Sequence, residues 1–123
     1  MMTDLKILLV DDHEINSLFT GYMFSKLGIP FDIAVNKDQA IELLSENEYS
    51  MVLMDIEMPR YNGYEVAKML RDINHKIPIV AFTTLPAKEV LPKAFEVGMN
   101  DYMLKPNAMQ ELEDMLDRYK QSA

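Results

Sequence analysis

No cysteine occurs in the 123 residues, which excludes a disulfide scaffold, a thiolate metal site and a cysteine nucleophile. Basic residues are outnumbered: 12 Lys+Arg stand against 20 Asp+Glu, a net charge of −8. That balance, without a basic stripe anywhere along the chain, argues against nucleic-acid binding. Long apolar runs are missing as well, none approaching the ~20 residues of a membrane span. The first residues reach Asp11-Asp12 after one short apolar stretch, unlike a signal peptide. There are no internal repeats, low-complexity tracts or linkers. What remains is a composition 49% hydrophobic, too apolar for disorder. The length suits one domain spanning residues 1–123, and a domain of this size buries roughly two-thirds of its unfolded surface. A cytoplasmic setting is expected.

Two hydrophobic periods alternate along the chain. Leu5 to Val10 is an apolar run of strand length, stopped by Asp11-Asp12. From Glu14 to Leu27 the period changes, with Ile15, Leu18, Phe19, Tyr22, Met23 and Leu27 on one predicted helix face and Gly28 as the stop. Phe31 to Val35 reads as a second strand, and Asn36 as the N-cap of a helix carrying Ala40, Ile41, Leu43 and Leu44. Met51 to Met54 is a third strand, stopped by Asp55; the helix after Gly63 turns Val66, Ala67, Leu70 and Ile73 inward. Ile77 to Phe82 and Tyr102 to Leu104 complete five strands. Asn107 to Gln121 closes with an amphipathic helix whose inward residues are Met109, Leu112, Met115, Leu116 and Tyr119. Short connections between near-continuously apolar strands and helices predict an α/β fold, an open parallel sheet covered on both faces.

Chemistry-bearing residues collect where strands end. Asp11 and Asp12 follow the first strand, Asp55 the third, Thr83 and Thr84 the fourth, and Lys105 the fifth. Open α/β sheets bind ligands outside these carboxyl ends. Three converging carboxylates repel one another, each pair by about 4 kcal/mol at ~4 Å and an effective dielectric near 20. With one lysine they leave two negative charges, which one divalent cation neutralises. The donors are hard oxygens, so Mg²⁺ is expected rather than Zn²⁺. His13 and His75 read as surface residues with no partner at metal-ligand spacing.

Four segments, in this order and at these spacings, carry a family resemblance: Ile7 to Asp12, Val52 to Pro59 with Gly63, Pro78 to Thr83, and Gly98 to Pro106. Along nearly its whole length the chain resembles the receiver domain of two-component response regulators, and Asp11 to Asn16 is similar to receivers attached to hybrid sensor kinases. The resemblance implies a flavodoxin-like sheet of order 2-1-3-4-5 flanked by five helices. It implies that Asp55 accepts a phosphoryl group from a phosphohistidine, with Asp11, Asp12, Asp55 and the backbone carbonyl of Glu57 as Mg²⁺ ligands. Lys105 and Thr83 would contact the phosphoryl oxygens, Thr83 and Tyr102 would act as the switch, and the Lys105–Pro106 bond would be cis. The implied partner is a histidine kinase or histidine phosphotransfer domain docked on the first helix near Asn16 and Phe19, with Met58 and Pro106 at the contact. Self-association through the face of the fourth and fifth helices is a further expectation. The chain could stand alone or belong to a larger regulator or hybrid kinase.

Two other functions share parts of this pattern. An FMN carrier of flavodoxin type would need a Ser/Thr/Gly-rich phosphate loop where Asp11-Asp12-His13-Glu14 stands. A Mg²⁺-dependent aspartyl-phosphate phosphohydrolase would space its two acids Asp-x-Asp on one loop. One segment also conflicts with the family pattern. Pro92 should remove an N–H bond and collide with the carbonyl of Lys88, at ~3 kcal/mol or more. The expectation is therefore a regular helix only from about Pro92 to Val97, with Leu85 to Leu91 as a loop or isolated turn. That loop is expected to be mobile before phosphorylation and ordered after it.

Overall fold

The apolar runs form the strands, and the amphipathic segments cover them. A computed structural model describes residues 5–58, 60–105 and 109–122. The order is β1 (Ile7–Val10), α1 (Glu14–Lys26), β2 (Phe31–Ala34), α2 (Lys37–Glu46), β3 (Met51–Asp55), α3 (Gly63–Ile73), β4 (Ile79–Thr83), α4 (Ala87–Glu96), β5 (Asp101–Leu104) and α5 (Met109–Ser122). The strands make one parallel sheet in the order β2-β1-β3-β4-β5, as expected. Alternate strand residues supply two cores. Leu8, Val10, Val52, Met54, Ile79 and Ala81 face α2, α3 and α4, and Ile7, Leu9, Leu53, Val80 and Phe82 face α1 and α5. The three central strands are buried throughout, so both faces must be apolar.

The Asn36 cap falls where the sequence places it, and Asn62 caps a second helix. Asn36 accepts the Gln39 N–H and Asn62 accepts the Tyr64 N–H. Gly28 and Gly98 hold positive φ just beyond α1 and α4, the left-handed geometry favourable to glycine at helix ends. Arg71 ties the end of α3 to the segment between α4 and β5, donating to the Gly98 and Asn74 carbonyls and to Asn100 Oδ1.

Three expectations require correction. In α1 the buried side is Ser17, Thr20, Gly21, Met23 and Phe24, whereas Ile15, Leu18, Phe19 and Tyr22 are 55–81% exposed. Small residues win the sheet side because the helix packs closely: a Cβ on Gly21 would lie 3.0 Å from the Phe31 ring. The Ser17 hydroxyl remains satisfied, donating to the Glu14 carbonyl. Ile73 likewise points outward, 41% exposed, at the end of α3.

The third correction concerns Pro92, which lies inside α4 rather than at its start. Pro92 and Lys88 are both exposed, so the ring lies on the outer side and solvent can hydrate the carbonyl that loses its partner. Buried Val90 and Ala94 anchor the opposite side to the core. That burial, together with the bonds of the Glu89 and Val90 N–H groups to the Pro86 carbonyl, holds the helix across the missing bond. Leu85 to Leu91 is thus not one long loop. Of the expected α5 residues, Leu112, Met115 and Leu116 are buried; the side chains of Met109 and Tyr119 lie outside the described residues.

Candidate functional site

Register brings the acids together. Val10 pairs with Met54 across β1 and β3, so Asp11 leaves its strand level with Asp55. Both carboxylates are buried, at 0% and 1% exposure. Asp55 Oδ1 accepts the Glu57 N–H at 3.3 Å, and Asp11 Oδ1 accepts the His13 N–H at 2.9 Å. Gly63 permits this packing: a Cβ there would stand 2.2 Å from the Asp55 carbonyl oxygen.

Lys105 enters from the far end of the sheet. Its N–H donates to the Thr83 carbonyl at 2.7 Å, fixing the residue after β5 to the end of β4. Its ammonium passes 5.8 Å from the centre of the Phe82 ring and ends 3.2 Å from Asp11 Oδ2 and 3.3 Å from Asp55 Oδ1. The other two oxygens face His13, whose Nδ1 lies 3.1 Å from both Asp11 Oδ1 and Asp55 Oδ2. Nδ1 is also 3.4 Å from Asp12 Oδ1. The Lys105 and His13 side chains thus divide the carboxylate oxygens of Asp11 and Asp55 between them.

Burial pushes the Asp55 carboxyl up to about 6; Lys105 pulls against that rise, and Asp11 adds to it. His13 titrates above its ordinary value. Burial opposes the rise, but the Asp11 bond and the charges of Asp55, Asp11 and Asp12 outweigh it. His13 therefore belongs to the site, contrary to its expected place as a surface residue without partners. Its signal in the sequence was adjacency to Asp11-Asp12. An aspartate that accepts the N–H two residues on folds the chain back, returning residue 13 to residue 11.

Thr83 is fully buried at the end of β4, and its hydroxyl accepts the Leu85 N–H at 3.2 Å. The Tyr102 hydroxyl donates to the Leu85 carbonyl, so the two expected switch residues grip one loop residue from both sides. Thr84 donates to a Glu57 carboxylate oxygen at 3.3 Å. Asn16 and Phe19 line a cavity of about 170 Å³ that also reaches Phe82, Thr84 and Lys105. Met58, expected at the partner contact, is only 8% exposed and packs in the core. Pro106 and the Lys105–Pro106 bond lie outside the described residues.

The donors suit a hard divalent cation. Asp11, Asp12, His13 and Asp55 place one ligand atom each within 4.8 Å of one another. Asp12 Oδ1 is buried without a hydrogen bond, a costly condition for a carboxylate oxygen that lacks a cation. No helix among the described residues is long and apolar enough to cross a membrane.

The sequence pattern of the response regulator receiver domain matches residues 7–117. The transcriptional regulatory protein CusR of Escherichia coli K12 is 32% identical over 108 residues, covering 88% of this chain and 48% of that protein. The hybrid signal transduction histidine kinase G of Dictyostelium discoideum is 32% identical over 121 residues, covering 94% of this chain and 4% of the kinase. The chain therefore spans less than half the length of either relative. Among solved structures, the receiver domain of a Pseudomonas aeruginosa PAO1 sensor histidine kinase superposes with a TM-score of 0.84 at 28% identity. That alignment covers 97% of this chain and 99% of the other, whose structure has a magnesium ion coordinated in its active-site cleft.

Proposed function

The chain belongs to the response regulator receiver domain family, and on that premise we propose that Asp55 is its phosphoacceptor. The observation that carries the reading is the Asp55 carboxylate itself, buried at the end of β3 between the Lys105 ammonium and the acids of β1. In the transfer, a carboxylate oxygen of Asp55 bonds to phosphorus as the bond from phosphorus to the donor imidazole nitrogen breaks, and the imidazole leaves with the electron pair. Lys105 offsets charge on the phosphoryl oxygens. Thr83 donates its hydroxyl proton to one of them.

Asp11, Asp12, Asp55 and the backbone carbonyl of Glu57 would hold Mg²⁺, which supplies the remaining positive charge the phosphoryl oxygens need. The phosphodonor is a histidine kinase or phosphotransfer domain, seated on the exposed α1 stripe of Ile15, Leu18, Phe19 and Tyr22 beside Asn16. Exposed Phe95 and Leu104 favour self-association on the α4, β5 and α5 side. An FMN carrier is disfavoured by three carboxylates crowding the loop where the flavin phosphate would bind. The phosphohydrolase reading is disfavoured by the two acids lying on different strands.

Acetyl phosphate with Mg²⁺ should add one phosphoryl group, read by intact-mass measurement, and Asp55→Asn should abolish it. A label that survives Asp55→Asn removes the residue from this role. Charge reversal along α1 that leaves phosphotransfer from a helical phosphohistidine domain undiminished removes the docking surface.

A further inference from the structure

We infer that His13 is a nitrogen ligand of the cation site and shifts its preference from Mg²⁺ toward Co²⁺ and Zn²⁺. The inference rests on the reading that Asp11, Asp12 and Asp55 hold a divalent cation, and deepens it. Nδ1 of His13 lies 3.1 Å from Asp11 Oδ1, 3.1 Å from Asp55 Oδ2 and 3.4 Å from Asp12 Oδ1. With metal–ligand bonds of ~2.0–2.2 Å, neighbouring donors stand about 3.0 Å apart in an octahedron and about 3.4 Å apart in a tetrahedron. This nitrogen is within hydrogen-bond distance of Asp11 Oδ1 and Asp55 Oδ2, and its distances to all three oxygens also match those between neighbouring donors around a single ion.

Asp12 gives an independent indication. Its side chain is only 10% exposed, and Oδ1 has no hydrogen bond although it points into this cluster. Lys105 uses Asp11 Oδ2 and Asp55 Oδ1, leaving Asp11 Oδ1 and Asp55 Oδ2 on the His13 side. Nor is the imidazole needed elsewhere. His13 is the N-cap of α1, yet its side chain makes no capping bond. It is 37% exposed, so the remaining coordination positions open toward solvent, where water or a phosphoryl oxygen can enter.

Mg²⁺ takes oxygen ligands, whereas imidazole suits Co²⁺ and Zn²⁺. All-oxygen sites already favour the transition ions, so the mark of His13 is an added preference that disappears with the ring. The full-length chain and its His13→Ala form, which loses no cap, would be titrated calorimetrically with Mg²⁺, Co²⁺ and Zn²⁺. The imidazole ¹⁵N resonances of the wild type would be followed during the Zn²⁺ titration. The expected result is that His13→Ala weakens Co²⁺ and Zn²⁺ by ~10-fold or more, at least the loss caused by removing an outer-sphere partner, and weakens Mg²⁺ by a much smaller factor. Nδ1 of His13 should shift with Zn²⁺, and Asp12→Asn should remove that shift. Equal weakening of all three ions, or of none, overturns the inference, as does Zn²⁺ binding that survives Asp12→Asn. Mg²⁺ binding that persists without any His13-dependent selectivity overturns only this inference; failure of the wild type to bind Mg²⁺ overturns the acidic site itself.

Discussion

Asp55→Asn should make the metal-free protein more stable, although it removes the proposed reactive group. Burial beside Asp11 raises the Asp55 carboxyl from 3.8 to about 6. A raised carboxyl has no adverse effect below its unfolded pKa, and its penalty grows as pH climbs from about 4 through about 6. At ~1.4 kcal/mol per pKa unit, the ionised group costs at most ~3 kcal/mol at pH 7.5, about half of that at pH 5 and little at pH 4. That ceiling already includes the attraction of Lys105 and His13, and Asn keeps an oxygen for the Glu57 N–H, so the net gain expected at pH 7.5 is ~1–3 kcal/mol. At ~3–5 °C per kcal/mol for a chain of this size, melting should rise by ~3–15 °C. Urea and thermal unfolding followed by circular dichroism in chelator, at pH 7.5, 5 and 4, would measure it. Millimolar Mg²⁺ should narrow the gap by stabilising the wild type in proportion to its binding. A variant no more stable than the wild type at pH 7.5, or an advantage unchanged at pH 4, refutes the reasoning.

Three further outcomes follow from local geometry. Gly63→Ala would drive a Cβ to 2.2 Å from the Asp55 carbonyl and 2.7 Å from the Ile56 Cα; it should cost more than the ~1–3 kcal/mol of ordinary overpacking and weaken Mg²⁺ binding, both read by urea titration with and without the ion. Pro92→Ala restores an N–H for the Lys88 carbonyl at an exposed helical position and should stabilise by ~1–2 kcal/mol in the same assay, since part of the ~3 kcal/mol helix penalty is offset in the unfolded chain. Tyr102→Phe removes the donor to the Leu85 carbonyl; it should cost ~1 kcal/mol and speed hydrogen exchange at residues 84–87.

The sheet and its acidic edge were legible because each is written locally. An apolar run ended by aspartate gives both the strand and the position of the carboxylate, and parallel register then aligns Asp11 with Asp55. The phase of α1 was not legible in this way. Residues 15, 18, 19 and 22 and residues 17, 20, 21 and 24 each satisfy helical spacing, on opposite sides of the helix. Hydrophobicity selects the first set. Close approach of the helix to Phe31 selects the second, because Gly21 and small hydroxyls fit where Phe19 and Tyr22 would not. The stripe left outside is the surface proposed for the phosphodonor, so the misleading feature and the proposed docking feature are the same residues. Pro92 misleads for a related reason: its local penalty takes no account of the burial of Val90 and Ala94 on the other side of α4.

The arrangement around Leu85 joins the site to the rest of the molecule. The Thr83 hydroxyl accepts the Leu85 N–H, and the Leu85 carbonyl accepts the Tyr102 hydroxyl, so both backbone polar groups of one residue are held by the two side chains proposed as the switch. A hydroxyl has one proton to donate and two lone pairs. Thr83 can therefore donate to a phosphoryl oxygen on Asp55 without releasing Leu85. Drawing Thr83 toward the phosphoryl group would then pull Leu85, and Leu85 would carry Tyr102 with it. The connection reaches α4 two residues later, at Ala87. Pro92 has already removed one hydrogen bond from that helix, so α4 is the element least able to resist the displacement through its own backbone. The packing of Val90 and Ala94 would oppose it, and the output of the proposed switch would be set by how far those two side chains can move against the sheet.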